Sequence, residues 1–414
     1  MGRHGGQGWL RRTNAQAPDD RLRGHVVPTT AAPRFLAQLE GLRAVAALGV
    51  LITHVGFQTG LSQRSVLGAI VARFDYFVAI FFALSAFLLW RNFRREGYYL
   101  RRAARILPAY WVLVAVSLAL VPASFGTSPQ VGLTTLTFTQ IYFPDHLAGG
   151  LTHLWSLSVE VAFYVALPVL YRLAHRAGSA GDQGRRRRIA FMLALGCLGL
   201  AWAGTPWPDP GTTNDAGQTF AGVNFQIYPL SYLPWFAVGM IVAELEGRVT
   251  VPAWWRRVAW PVAAVICWVA GQEWFGPLGL VHPSPLEFVR RILGGTLFAA
   301  VLLVPYGLGR PDSDPGHRRF GKGYGLLSTP ALVQVGTWSY SIFLWHLPVL
   351  SFVLPVAGIN LFSGSIVDFV VVAVLTVALS IVVAWISYEW VEKPARDWIR
   401  AYLRSRLGAA AASA

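Results

Sequence analysis

Arg43 and His54 stand near the two ends of GLRAVAALGVLITH, residues 41–54, a run that is otherwise apolar. Ten residues lie between them, which on a helix is about 16 Å of rise and about 1,100° of rotation, close to three full turns, so both side chains share one face. His153 and Glu160 occur in LTHLWSLSVEVAFY (151–164), His346 in VGTWSYSIFLWHLP (335–348) and Ser85 in FFALSAFLL (81–89). Ionisable groups inside apolar runs are expensive in hydrocarbon and need a partner or a wet cavity, so each is a candidate site residue. An imidazole, with its ordinary pKa of about 6.5, suits proton abstraction from a hydroxyl at neutral pH, and a carboxylate can orient it or share its proton. Each residue also has a plainer reading. His54 can be a polar tip at a water interface, Glu160 half of a structural ion pair, His346 a packing residue that hydrogen-bonds, and Ser85 a hydroxyl bonded back to its own helix.

A different chemistry is suggested by YLRRAARILPAYW (99–111), where Arg102 and Arg105 fall one turn apart on one helix face. Guanidinium groups clamp phosphate well, although arginines flanking an apolar run are also expected from topology alone. No two histidines fall at ligand spacing on one helix, so no metal is expected.

The elements that must carry these residues are apolar helices. Of 414 residues, 54% are hydrophobic and 13% charged, and the mean hydropathy is +0.47, which places the chain among polytopic membrane proteins. Apolar runs at 38–57, 74–91, 106–124, 154–172, 189–206, 226–245, 258–275, 288–308, 333–355 and 366–388 predict an all-α transmembrane bundle of about ten spans. Residues 1–35 hold no apolar h-region and read as a disordered tail, 36–396 as the transmembrane domain and 397–414 as a C-terminal tail. The Thr-rich stretch 131–143 is too short to cross and is expected to be re-entrant or interfacial. Cys197 and Cys267 fall within apolar segments and read as small buried thiols.

The net charge of +15 does not mark a nucleic-acid binder. The N-tail, the alternate loops and the C-tail hold 30 of the 35 Lys and Arg, while the opposite loops hold only Arg64 and Arg73, with Arg290 and Arg291 at a boundary and Arg43 within a span. By the positive-inside rule both termini are cytoplasmic. Two Lys against 33 Arg point to a GC-rich bacterial genome and hence to a multi-pass protein of a bacterial plasma membrane. Arg290 and Arg291 break the charge rule; they can meet an anionic ligand or snorkel to the headgroups.

Arg-x10-His, FFALSAFLL, Arg-x-x-Arg followed by Ile-Leu-Pro, HLWSLSVEVAFYVALP, WSYSIFLWHLPV and the closing YEWVEKPAR occur in this order between about Pro33 and Arg396. In this order and spacing the chain resembles the acyltransferase-3 family of integral membrane O-acyltransferases, which modify sugars, surface glycans and macrolides. The resemblance implies that Arg43 and His54 are the essential pair, that Arg102 and Arg105 hold an acyl-CoA donor on the cytoplasmic side, and that Glu160 is the functional glutamate. It also implies a hydroxylated glycan, glycolipid or macrolide acceptor, with Ser85, His153, His346 and Tyr340 as candidates for supporting or acceptor contacts. The family commonly has Ser-Gly where this chain has Ser85-Ala86, and often an acid or Gln where it has Val161-Ala162.

The implied reaction moves an acyl group, acetyl being the first expectation, from cytoplasmic acyl-CoA as co-substrate to an acceptor hydroxyl. No bound cofactor is involved. His54 is the general base, Glu160 is a partner in a possible Glu–His dyad, and Arg43 steers the donor, stabilises oxyanion charge or pairs with a carboxylate. An acyl-enzyme on Ser85 or His54 is the competing chemistry, disfavoured for Ser85 because no base is assigned near it. Two other classes compete: an exporter of a glycan or lipid-linked intermediate, whose path the same polar groups would line, and a non-catalytic scaffold that would tolerate their replacement.

Overall fold

A long apolar run becomes a helix in a membrane because every backbone N–H and C=O must then be satisfied within the segment. The computed structural model describes residues 37–61, 65–178, 180–210, 222–279, 281–309 and 325–412. The 1–35 tail lies outside the described residues. Fourteen α-helices form among them: α1 (Ala37–Gln58), α2 (Val66–Ala72), α3 (Phe77–Arg91), α4 (Tyr98–Leu120), α5 (Pro129–Leu136), α6 (Trp155–Ala177), α7 (Asp182–Ala203), α8 (Leu233–Leu245), α9 (Trp255–Ala270), α10 (Pro285–Gly307), α11 (Pro330–Thr337), α12 (Ser339–Val356), α13 (Ile366–Ser387) and α14 (Lys393–Ala412). The only bridge-type pairing described is an isolated one between Val251 and Gly309.

Each of the ten expected apolar runs is helical, and seven helical segments are long and apolar enough to cross a membrane. The shortfall lies in α7, whose first turns carry Arg185–Arg188, and in α8 and α9, which are shorter than 18 residues. At 1.5 Å per residue, α5 rises only about 12 Å and does not cross, as its length predicts. It folds back against α4, where Tyr110 Oη donates to the Thr135 carbonyl at 2.5 Å. α4 begins eight residues earlier than the apolar run, so Arg102 and Arg105 lie within the helix and not in a preceding loop.

Small residues set the tightest approaches, as in membrane bundles generally. A Cβ on Gly239 of α8 would lie 2.0 Å from the Ala83 carbonyl oxygen of α3, and one on Gly336 of α11 would lie 2.0 Å from that of Glu40 on α1. The larger buried cluster joins α1, α3, α4, α6, α8, α9, α10 and α12, and a smaller one joins α1, α12 and α13. Val367, Val370, Val374, Val382 and Trp385 on α13 are exposed. An apolar face of that extent is stable only against lipid or protein, in keeping with a multi-pass membrane protein. Cys267 is buried, but Cys197 faces outward from α7, so the expectation of two buried thiols holds for one; both are free.

Contacts fix which helix ends meet. At one end Tyr340 of α12 donates to the Ile106 carbonyl of α4 (2.9 Å), and Ser341 donates to Glu392, which lies in the π-helical turn Tyr388–Glu392 after α13. At the other end Arg73 donates to the carbonyls of Ala270 and Gly276, and the Phe362 amide to that of Gln58 (2.8 Å).

Candidate active site

The site residues fall into two chambers along the bundle. The first, of about 60 Å³, is lined by Arg43, Arg102 and Arg105 together with Ser85, Glu160, Tyr164 and Tyr340. The second, of about 260 Å³, is lined by His54 and His153 with Asp75, Arg291, Trp155 and Gln226. Val78, Ser156 and Phe343 line both and are the wall they share.

In the arginine chamber three guanidinium groups face one lining carboxylate, Glu160. One oxygen of that carboxylate accepts from both Ser85 Oγ and Tyr164 Oη, the latter at 2.5 Å. Tyr164 follows Glu160 by four residues, so the α6 helix itself puts the pair on one face. Among the described residues neither Arg102 nor Arg105 has a carboxylate within ion-pairing distance, and Arg43 has only Glu40 at a loose 3.9 Å. The chamber is therefore cationic and suited to a polyanionic ligand.

The histidine chamber is built on three imidazoles. His54 Nδ1 lies 2.7 Å from the Val50 carbonyl oxygen. A carbonyl only accepts, so Nδ1 carries the proton and neutral His54 keeps its lone pair on Nε2. His346 Nδ1 likewise donates to the Phe343 carbonyl (2.6 Å), leaving its own Nε2 as an acceptor 3.2 Å from His54 Nδ1. His153 Nε2 donates to the Leu344 carbonyl at 3.0 Å. In a helix that carbonyl would accept from residue 348, but Pro348 has no N–H, so the imidazole fills the vacancy. Tyr98 does the same for Tyr164, whose i+4 residue is Pro168, at 3.2 Å. His346 lies between the other two rings, 4.9 Å from each by centroid.

The expected residues are thus gathered, but in two groups. His54, His346 and His153 come together. Glu160 does not join them, because its partners are Ser85 and Tyr164, so the structure forms no Glu160–His54 dyad. The carboxylate facing the His54 chamber is Asp75, which receives Arg291 Nη2 at 2.5 Å through Oδ2, while its buried Oδ1 has no protein partner. Arg43 sits with Arg102 and Arg105 and not beside His54. Ser85, expected to lack a nearby base, donates to a carboxylate. Tyr340 lines the arginine chamber and anchors α12 to α4. Arg290 turns away, donating to the Trp274 carbonyl at 2.6 Å.

Sequence reasoning missed Asp75, Tyr164 and Phe343. Asp75 was readable as an acid at the head of an apolar run, and Tyr164 from its spacing to Glu160; Phe343 offers no sequence signal. At the rim of the histidine chamber His282 Nδ1 lies 3.3 Å from Asp209, and burial holds that loop imidazole below its usual value, with Asp209 opposing. No group of His, Cys, Asp and Glu among the described residues is arranged to hold a metal ion.

Comparison with known proteins agrees with this arrangement. The family model for the acyltransferase domain of the acyltransferase-3 family matches residues 36–385. The chain is 24% identical over 398 residues to the peptidoglycan O-acetyltransferase OatA of Listeria monocytogenes, covering 88% of this chain and 56% of that protein. It is 25% identical over 395 residues to the O-acetyltransferase OatA of Staphylococcus aureus, covering 88% and 58%. A putative O-acetyltransferase of Staphylococcus aureus is 22% identical over 411 residues, again covering 88% and 58%. The chain thus spans somewhat over half the length of these relatives. No solved structure matches. The chain belongs to the acyltransferase-3 family.

Proposed function

We propose that this acyltransferase-3 protein moves an acyl group, acetyl in the first instance, from cytoplasmic acyl-CoA to a hydroxyl of a glycan-type acceptor. The observation that carries the reading is the pair of abutting chambers, one cationic and one holding an imidazole with a bare Nε2. Support for the acetyl group and the glycan comes from the names of the relatives, one of which is a peptidoglycan O-acetyltransferase.

In this mechanism Arg102, Arg105 and Arg43 hold the phosphates of the donor, and the thioester arm passes along the bundle toward His54. Arg43 is a donor-binding residue here, because its chamber is that of the other two arginines. The acceptor hydroxyl enters the histidine chamber, where the free Asp75 Oδ1 is an acceptor for a neighbouring sugar hydroxyl. His54 Nε2 takes the proton as the acceptor oxygen bonds to the carbonyl carbon. The carbon–sulfur bond then breaks, and the proton passes from His54 to the departing thiolate. His346 Nε2, accepting from His54 Nδ1–H, stabilises the imidazolium while it exists.

The orientation belongs to the same proposal. With about ten crossings and both termini in the cytoplasm, the arginine chamber opens toward acyl-CoA and the histidine chamber toward the outer face of a bacterial plasma membrane. The test is release of free CoA thiol from acetyl-CoA by membranes carrying the protein, together with an acetyl mass increment on envelope glycans. Both are expected with the protein and neither with His54→Ala. An increment that arises without CoA release would overturn the donor, and release that survives His54→Ala would overturn the base.

A further inference from the structure

The two chambers have to communicate if the mechanism above holds, and their shared wall is small. It consists of Val78 from α3, Ser156 from α6 and Phe343 from α12. Phe343 supplies the bulk. Its ring centroid lies 6.1 Å from that of Phe81, 5.5 Å from that of His153 and 5.7 Å from that of His346. The residue is 9% exposed.

The backbone beneath it is tied down by the two histidines that no catalytic step needs at the reacting atoms. His346 donates to the Phe343 carbonyl, and His153 donates to the Leu344 carbonyl that Pro348 leaves vacant. Ser156 Oγ donates in turn to the His153 carbonyl at 3.1 Å, so the third wall residue is locked to the same imidazole's backbone. A wall held from both sides does not swing like a lid. It is a fixed aperture, and interiors packed this way yield little to an added methylene.

We infer that Phe343, with Val78 and Ser156, is the acyl-length filter of this enzyme and restricts the donor to short acyl groups of the acetyl and propionyl class. The inference rests on the proposed donor route, since only a thioester arm crossing from the arginines to His54 must pass this wall. Ser156, the smallest of the three, leaves the open side. One methylene in a tight apolar site is worth about 10–200-fold in selectivity, so a four-carbon extension against a fixed phenyl ring is strongly excluded.

The experiment compares acetyl-, butyryl- and hexanoyl-CoA as donors for membranes carrying wild type, Phe343→Ala, Phe343→Leu and Val78→Ala. CoA thiol release and the corresponding acyl mass increments on envelope glycans are the readouts. The wild type is expected to favour acetyl over hexanoyl by at least about 100-fold. Phe343→Ala should raise the hexanoyl-to-acetyl ratio by at least about tenfold, with Phe343→Leu and Val78→Ala smaller and in the same direction. A wild type that uses hexanoyl-CoA as well as acetyl-CoA overturns the filter. So does an unchanged ratio in variants that retain acetyl transfer, and so does loss of acetyl transfer in all three variants with no gain for longer donors. A wild type that releases no CoA from any of the three thioesters instead overturns the donor assignment, and the filter with it.

Discussion

His346 presents Nε2 to the Nδ1 of His54 at 3.2 Å, while the Val50 carbonyl takes the same N–H at 2.7 Å. The pair settles the tautomer of His54 and directs its basic nitrogen away from both partners. His54→Ala is expected to lower kcat by about 10²–10⁴-fold, the usual share of a general base. His346→Ala removes the acceptor that supports the imidazolium but leaves the carbonyl, so the expected loss is smaller, about 10–100-fold in kcat, with the donor KM little changed. Steady-state thiol release separates the two parameters. A His346 effect confined to KM defeats this role.

The arginine chamber gives the opposite signature. Arg102 and Arg105 each offer a fork of donors with no carboxylate partner, so a ligand phosphate is the natural acceptor. A charge-assisted hydrogen bond contributes about 1.5–3 kcal/mol, so Arg102→Ala or Arg105→Ala should raise the acetyl-CoA KM by about 10–100-fold and leave kcat almost untouched. Lysine at either position restores the charge without the fork and should recover part of the loss. Equal effects on kcat and KM would place these residues at the reaction instead of at the donor's phosphates.

Packing makes a prediction independent of chemistry. The Gly239 approach to the Ala83 carbonyl leaves no room for a Cβ at 2.0 Å from a backbone oxygen. Gly239→Ala must push α8 from α3, and overpacking of this kind costs about 1–3 kcal/mol. Gly196 of α7 is the control, since its nearest atoms would be 3.9 Å away. Alanine there removes a helix-interior glycine and should be neutral or stabilising by up to about 1 kcal/mol. Thermal unfolding in detergent with an intrinsic tryptophan signal measures both, and a stabilised Gly239→Ala protein would refute the packing described.

How much of this was legible in the sequence differs by level. The ten apolar runs gave the helices, and the length of the 131–143 stretch ruled out a crossing there. The Arg102–Arg105 spacing and the Arg43–His54 face were readable because both depend only on one helix's own periodicity. The division into two chambers was not, because it depends on how helices rotate against each other. Depth along a helix put Glu160 level with His54, yet rotation of α6 turns its carboxylate to Ser85 and brings His153 to α12. Pro348 and Pro168 carry a usable signal that was not read: each leaves a vacant carbonyl four residues earlier, which a nearby donor then fills. Asp75 was masked by its proximity to Arg73, whose guanidinium in fact goes to backbone carbonyls.

Ser85 and Glu160 bear on whether the acyl group rests on the enzyme. A hydroxyl donating to a carboxylate is the arrangement of an activated nucleophile. Against that role, the accepting oxygen is shared with Tyr164, and Ser85 lines the arginine chamber, which His54 does not. Direct transfer at His54 then requires that Ser85→Ala keep kcat within about tenfold of wild type, and that Glu160→Gln, which leaves both hydroxyls facing an amide, do more damage than Ser85→Ala. Adding Glu160→Gln to a Ser85→Ala background should cost less than in the wild type, since the two residues share one hydrogen bond. Acid-quenched enzyme incubated with acetyl-CoA alone provides the deciding measurement. An acetyl mass increment on the peptide holding Ser85, together with ping-pong kinetics, would replace direct transfer with a serine acyl-enzyme and move the first chemical step into the arginine chamber.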